Sequence, residues 1–100
     1  MEKRTAHYNL SLVLAAVRDG GARSFTKTAR RNIALMGLSL EEAMTVIAEL
    51  TPRMLYKSMT SHADHRVWQD VYHALCPNGK TAYIKLTLAG DAPVIQFKEK

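Results

Sequence analysis

Residues 81–98 read Thr81-Ala82-Tyr83-Ile84-Lys85-Leu86-Thr87-Leu88-Ala89-Gly90-Asp91-Ala92-Pro93-Val94-Ile95-Gln96-Phe97-Lys98. Polarity alternates on both sides of Gly90-Asp91. Ala82, Ile84, Leu86 and Leu88 fall on one side of the first arm and Ile95 and Phe97 on one side of the second, which leaves Tyr83, Lys85, Gln96 and Lys98 outward. A period of two is the signature of a half-buried strand, and Gly-Asp between two such arms marks a hairpin turn. A loop of even length pairs Ala89 with Ala92, and counting back along the ladder sets Ile84 against Phe97 and Tyr83 against Lys98. An odd loop would oppose core to solvent. The alternation therefore puts a phenol beside an ammonium on the outer face of a sheet.

Working back from this hairpin, residues 56–60 and 67–75 are two more strand-like runs, with Pro77-Asn78-Gly79 as the turn before residue 81. With 81–88 and 94–98 they make four expected strands. The first half of the chain has a helical period instead. Leu10, Val13, Leu14 and Val17 form one stripe within residues 8–19, closed by Gly20-Gly21. A short extended piece around residues 23–25 follows. Thr26 can cap a second helix carrying Ala29, Ile33 and Met36 on one face before Gly37. Ser39 with Glu42 three residues later is a capping box, and Leu40, Ala43, Met44, Ile47 and Leu50 then make a stripe that Thr51-Pro52 breaks. Helices first and strands last imply an α+β domain, with the helices packed on one face of a twisted antiparallel sheet and the other face free.

A length of 100 residues suits one domain spanning 1–100. The N-terminus shows no apolar stretch of signal-peptide or membrane-helix length, so the expected compartment is the cytoplasm and no membrane association is expected. The single Cys76 cannot form an internal disulfide and agrees with a reducing compartment. Fourteen Lys and Arg against nine Asp and Glu give a net charge of +5, which favours polyanions.

Chemistry-bearing side chains concentrate between Tyr56 and Tyr72: Lys57, Ser58, Thr60, His62, Asp64, His65, Arg66, Gln69 and Asp70, interleaved with Tyr56, Trp68 and Tyr72. Cations for phosphates and rings for unstacked bases suit single-stranded RNA, with Arg66 and Tyr56 as substrate contacts. Trp68 and one tyrosine are expected in the core. Cleaving RNA without a metal requires a group to deprotonate the 2′-hydroxyl, a group to protonate the leaving 5′-oxygen and donors for the charge growing on phosphorus. Lysine, tyrosine and glutamine can share those tasks. A lysine among other cations has a lowered pKa and can serve as base, or it stays charged and stabilises the transition state. His62, His65, His73 and Cys76 lack the paired spacing of a zinc site, so no metal and no cofactor is expected. Phosphate-loop, esterase-elbow and zinc-protease motifs are missing as well.

Met1-Glu2-Lys3-Arg4-Thr5 with His7, Tyr56-Lys57-Ser58-Met59-Thr60, Trp68-Gln69-Asp70-Val71-Tyr72 and Phe97-Lys98-Glu99-Lys100 stand in an order and spacing that resemble the MqsR toxins over nearly the whole chain. The resemblance implies a RelE-like α+β fold and a type II toxin that cleaves mRNA at short GC-containing sequences. It also implies an MqsA-like antitoxin that binds zinc and carries a helix-turn-helix DNA-binding domain. By motif, the family's functional lysine falls on Lys57, its glutamine on Gln69 and its tyrosine on Tyr83. Lys98 joins them through the hairpin register. Tyr56 and Met59 flank Lys57 as base contacts or supports, and Lys85 is a further outward lysine.

The segment from His73 to Lys80 is slightly longer than the family pattern, and this leaves two registers open. A two-residue Asn78-Gly79 turn sets Tyr83 across from Ala74 and sends Gln69 to the opposite face; an odd loop or a bulge brings Gln69 to the Tyr83 face. A shared site requires the second. The competing functional reading is a non-catalytic RNA- or protein-binding regulator of the same fold.

Overall fold

Each helix opens at a residue whose side chain replaces a missing helical acceptor. In the computed structural model, which describes all of residues 1–100, Asn9 accepts from the Leu12 N–H at 3.2 Å at the start of α1 (Leu10–Gly20). Thr26 accepts from the Ala29 N–H at 3.0 Å at the start of α2 (Lys27–Leu35). Ser39 and Glu42 exchange bonds of 2.9 and 3.0 Å in the capping box that opens α3 (Leu40–Ala48). Gly21, at a φ of +61° and a ψ of −141°, takes a backbone conformation open essentially to glycine alone and so ends α1. The link to α2 departs from the extended piece expected there. It is a 3-10 turn over Gly21–Ser24, tightened by the Phe25 N–H on the Ala22 carbonyl, and only Phe25 is extended.

Five strands, one more than expected, form a single antiparallel sheet in chain order: β1 (Glu2–Lys3), β2 (Leu55–Thr60), β3 (Trp68–Leu75), β4 (Thr81–Ala89) and β5 (Ala92–Glu99). β1 is too short for any periodicity to show, and it is a strand because Glu2 and Lys3 pair with Met59 and Ser58. The β4–β5 hairpin has the register that its alternation dictates, with Ala89 opposite Ala92, Ile84 opposite Phe97 and Tyr83 opposite Lys98. Between β3 and β4 the loop is odd. Leu75 pairs with Thr81, and the five residues between them close through Cys76 N–H to the Lys80 carbonyl and Gly79 N–H to the Cys76 carbonyl.

The helices cover one face. Val13, Val17, Ile33 and Ile47 pack there on Tyr72, Ile84, Leu86, Ile95 and Phe97, all buried. Each such side chain contributes roughly 1.5–3 kcal/mol by leaving water, enough to hold the layers together without a covalent link. Trp68, expected in this core, lies outside it. It begins β3 beyond the helices, stacked on His7 at 5.3 Å between centroids, with the Lys3 ammonium 4.3 Å from its ring.

β5 is an edge strand, and Pro93 near its start is tolerated because an edge does not need every N–H. Two of its outer carbonyls are nonetheless occupied. Phe25 bridges to Ile95, the Thr26 N–H donates to the Ile95 carbonyl at 3.1 Å, and the Asn32 amide donates to the Phe97 carbonyl at 3.0 Å. Covering the edge protects it from pairing with another chain. It also fixes the first turn of α2 beside the open face of the sheet.

Candidate active site

The face away from the helices carries three rows of side chains set by the register. His73, Tyr83 and Lys98 share one row; Lys57, Val71, Lys85 and Gln96 share the next. Met59 pairs with Gln69 and Thr87 with Val94, and one step beyond the Asp70–Leu86 pair carries Gln69 level with Thr87. The odd loop thus puts Gln69 on the Tyr83 face. It does not put the two side by side, because four residues of strand separate their rows, about 13 Å at ~3.3 Å per residue. Gln69 is also 7 % exposed, at the floor of the face.

A β-bulge shapes the first row. Leu55 pairs with Tyr72 and Lys57 with Val71, so Tyr56 is an extra residue on β2. Bulges re-aim side chains. Here Leu55 packs against the core while Tyr56 stacks on His73 with centroids 4.4 Å apart and planes at 22°. His73 in turn lies 5.5 Å from the Tyr83 ring. Cations stand over both outer rings: Arg4 at 5.7 Å and Lys57 at 5.4 Å from Tyr56, and Lys98 at 5.0 Å from Tyr83. His73 was not among the expected site residues. Its only signal in the sequence was its parity with Tyr83, which depends on the loop length.

Burial lowers the His73 pKa, aided by the charge of Lys100, and its Nε2 is buried without a hydrogen-bond partner. The lysines divide. Lys57 donates to Glu2 of β1 at 2.6 Å, and this hydrogen bond raises its pKa and keeps it charged. Lys85 has the opposite environment: burial, then the charges of Lys98 and Lys57, lower its pKa. The cation-crowded lysine anticipated from composition is therefore Lys85 rather than Lys57.

The remaining expected contacts separate. Met59 lies half-buried on the open face beside Gln69. Arg66 is not drawn into the cluster. It sits in the loop between β2 and β3, where its guanidinium reaches Asp64 at 3.1 Å and is largely exposed. His62 and His65 are exposed in the same loop while Cys76 is buried behind the β3–β4 turn.

Asp70 carries no chemistry on this face, because its parity points it toward the helices. It is 1 % exposed and accepts from the His7 N–H with both oxygens at 3.0 Å, from the Tyr8 N–H at 2.9 Å and from the Ser58 hydroxyl at 2.6 Å. Tyr8 adds a bond from its hydroxyl to the Trp68 carbonyl at 2.8 Å. These contacts moor the N-terminal segment, and the segment brings Glu2 to Lys57.

The profile of the family described as "Motility quorum-sensing regulator, toxin of MqsA" matches residues 5–99. The chain belongs to the MqsR toxin family. It is also 41 % identical over its full 100 residues to a protein of Escherichia coli (strain K12), the "mRNA interferase toxin MqsR", and the match covers that protein's full length. The α+β arrangement of helices on an antiparallel sheet is consistent with the RelE-like fold of this family. No helix of the MqsR-family chain is long and apolar enough to cross a membrane.

Proposed function

We propose that the chain is the toxin of a type II toxin–antitoxin pair, a single-domain endoribonuclease that cuts mRNA and thereby stops translation and growth. The observation that carries this reading is the open sheet face itself: Tyr83 beside Lys98, with Lys85 and Lys57 in the adjoining row, in a chain whose full-length relative is named an mRNA interferase. Three cations and a phenol on one face are the groups needed to hold a phosphodiester and move its protons.

The roles follow from the electrostatics. Lys57, kept cationic by Glu2, and Lys98 hold the non-bridging phosphate oxygens as negative charge grows. Lys85, whose pKa is lowered by burial and then by the charges of Lys98 and Lys57, takes the proton of the 2′-hydroxyl. The 2′-oxygen then bonds to phosphorus and the bond to the 5′-oxygen breaks. Tyr83 donates its proton to that leaving oxygen, which gives a 2′,3′-cyclic phosphate and a 5′-hydroxyl end. Gln69, distant from Tyr83 and close to Met59, orients the strand and transfers no proton. Substrate mRNA and an MqsA-like antitoxin are the partners, and the cytoplasm is the compartment where both are met.

The test is cleavage of a defined RNA by the purified chain in EDTA, with both product ends mapped. Cyclic phosphate ends are expected, and Lys57→Ala and Tyr83→Phe each slow cutting by about 10²-fold or more, the range of single acid–base or charge-stabilising groups. Cleavage abolished by EDTA refutes the mechanism; full rates in both variants refute the residue assignment.

A further inference from the structure

Between the first turn of α2 and strands β4 and β5 lies a cavity of about 400 Å³, a volume in the range of small-ligand sites. Its lining falls into two chemical halves. Tyr83, Lys85 and Lys98 form the side shared with the phosphate-holding groups, whereas Thr26, Thr28, Asn32 and Gln96 supply only neutral hydroxyls and amides. No carboxylate lines it. Thr26 is committed to capping α2, and Asn32 uses one amide hydrogen on the Phe97 carbonyl, which leaves its carbonyl oxygen free to accept. Thr28 and Gln96 are exposed, with their donors and acceptors available. Phe97 and Ala29 add apolar surface between them.

We propose that this cavity receives the nucleobase adjoining the scissile phosphate, and that Gln96, Thr28 and Asn32 read its edge and set the sequence preference of cleavage. A base is planar and uncharged, with adjacent donors and acceptors along its edges, and single-stranded RNA can splay it away from its neighbours. Neutral amides and hydroxyls match those edges, whereas a phosphate is drawn to the lysine side. One nucleotide satisfies both halves, since its ribose joins the base to the phosphate across the boundary. The wall is also rigid enough to discriminate. Three contacts to the β5 edge fix α2: the Phe25–Ile95 bridge, the Thr26 N–H and the Asn32 amide. A site that hydrogen-bonds its substrate rejects a wrong base through the unpaired groups left behind.

This inference rests on the assignment of the neighbouring lysines to the phosphate, and the experiment separates the two. An RNA pool randomised around a central window is cut by the unaltered chain, by Gln96→Ala, by Gln96→Ala with Thr28→Ala, and by Gln96→Glu, and the product ends are sequenced. Discrimination among the four bases at one position beside the cut should fall at least tenfold in the alanine variants. In Gln96→Glu, which replaces the amide donor with an acceptor, preference at that position should move toward a base edge that donates. Unchanged preference, or an equal loss of rate at every sequence, overturns the proposal, because a mere phosphate contact weakens all sequences alike. Lys57→Ala in the same assay addresses the phosphate assignment alone: a full cutting rate there refutes it while leaving the preference data to decide the cavity.

Discussion

Replacing Asp70 with alanine should cost the protein a large part of its stability, although Asp70 takes no part in the chemistry. The carboxylate is 1 % exposed and serves the His7 N–H, the Tyr8 N–H and the Ser58 hydroxyl. Ser58 is fully buried, so its orphaned hydroxyl bears the full penalty, whereas the two N–H groups lie on a segment that water can reach once it lifts away. At ~1–3 kcal/mol for each donor left unmade, discounted for the two that re-solvate, the loss comes to about 2–5 kcal/mol. Against a total of roughly 5–15 kcal/mol for a domain of this size, that is about a third at the middle of both ranges. Thermal unfolding should fall by on the order of 10–40 °C, at ~4–8 °C per kcal/mol. Urea unfolding of Asp70→Ala, Ser58→Ala and the double variant provides the assay. The double variant should be less destabilised than the sum of the singles, because the hydroxyl left orphaned by Asp70→Ala is then gone. A loss under about 1 kcal/mol for Asp70→Ala, or strict additivity, would refute the claim that this carboxylate anchors the N-terminal segment.

Other expectations follow from the charges on the open face. Lys85→Arg keeps the charge but removes a titratable amine, so RNA should still bind while cleavage falls at least tenfold; Lys57→Arg, which preserves the charge proposed to hold the phosphate, should retain more activity than Lys57→Ala. Single-turnover rates decide both. Glu2→Gln should tighten RNA binding and steepen its salt dependence, because it frees Lys57 from its carboxylate partner; equal affinity across a salt titration would count against that competition. The lowered pKa of His73 means that the unfolded chain takes up a proton near pH 6.5 before the folded one does. The stability it contributes is present above that pH and lost as pH falls through its folded value. His73→Phe should flatten this slope as the pH falls below about 6.5, measured by urea midpoints, and an unchanged slope would assign it to other groups.

The β4–β5 hairpin was legible in full because every residue from Ala82 to Lys98 is constrained by alternation and by a two-residue turn, and both constraints are local. Thr26 and the Ser39–Glu42 box were legible for the same reason. What escaped depends on distant partners. β1 exists through pairs with Met59 and Ser58, and Trp68 leaves the core for His7, a residue 61 positions earlier that Asp70 holds in place. The different environments of the lysines were hidden likewise, since the hydrogen bond that raises the Lys57 pKa involves Glu2, 55 residues away. Gln69 and His73 joined the open face only once the loop from Cys76 to Lys80 proved odd, a matter of backbone turns that hydrophobic patterning on β3 did not decide. Composition alone could not distinguish Arg66, tied to Asp64, from the lysines of the sheet.

The coverage of β5 by α2 has a consequence in time as well as in space. A chain emerges from the ribosome in sequence order, and β5 follows every other element. Until it pairs, Tyr83 has no Lys98 beside it, the carbonyls that hold Phe25, Thr26 and Asn32 are missing, and the wall of the cavity has nothing to rest on. A nascent chain carrying all four earlier strands therefore lacks both the Tyr83–Lys98 pair and the edge on which α2 rests.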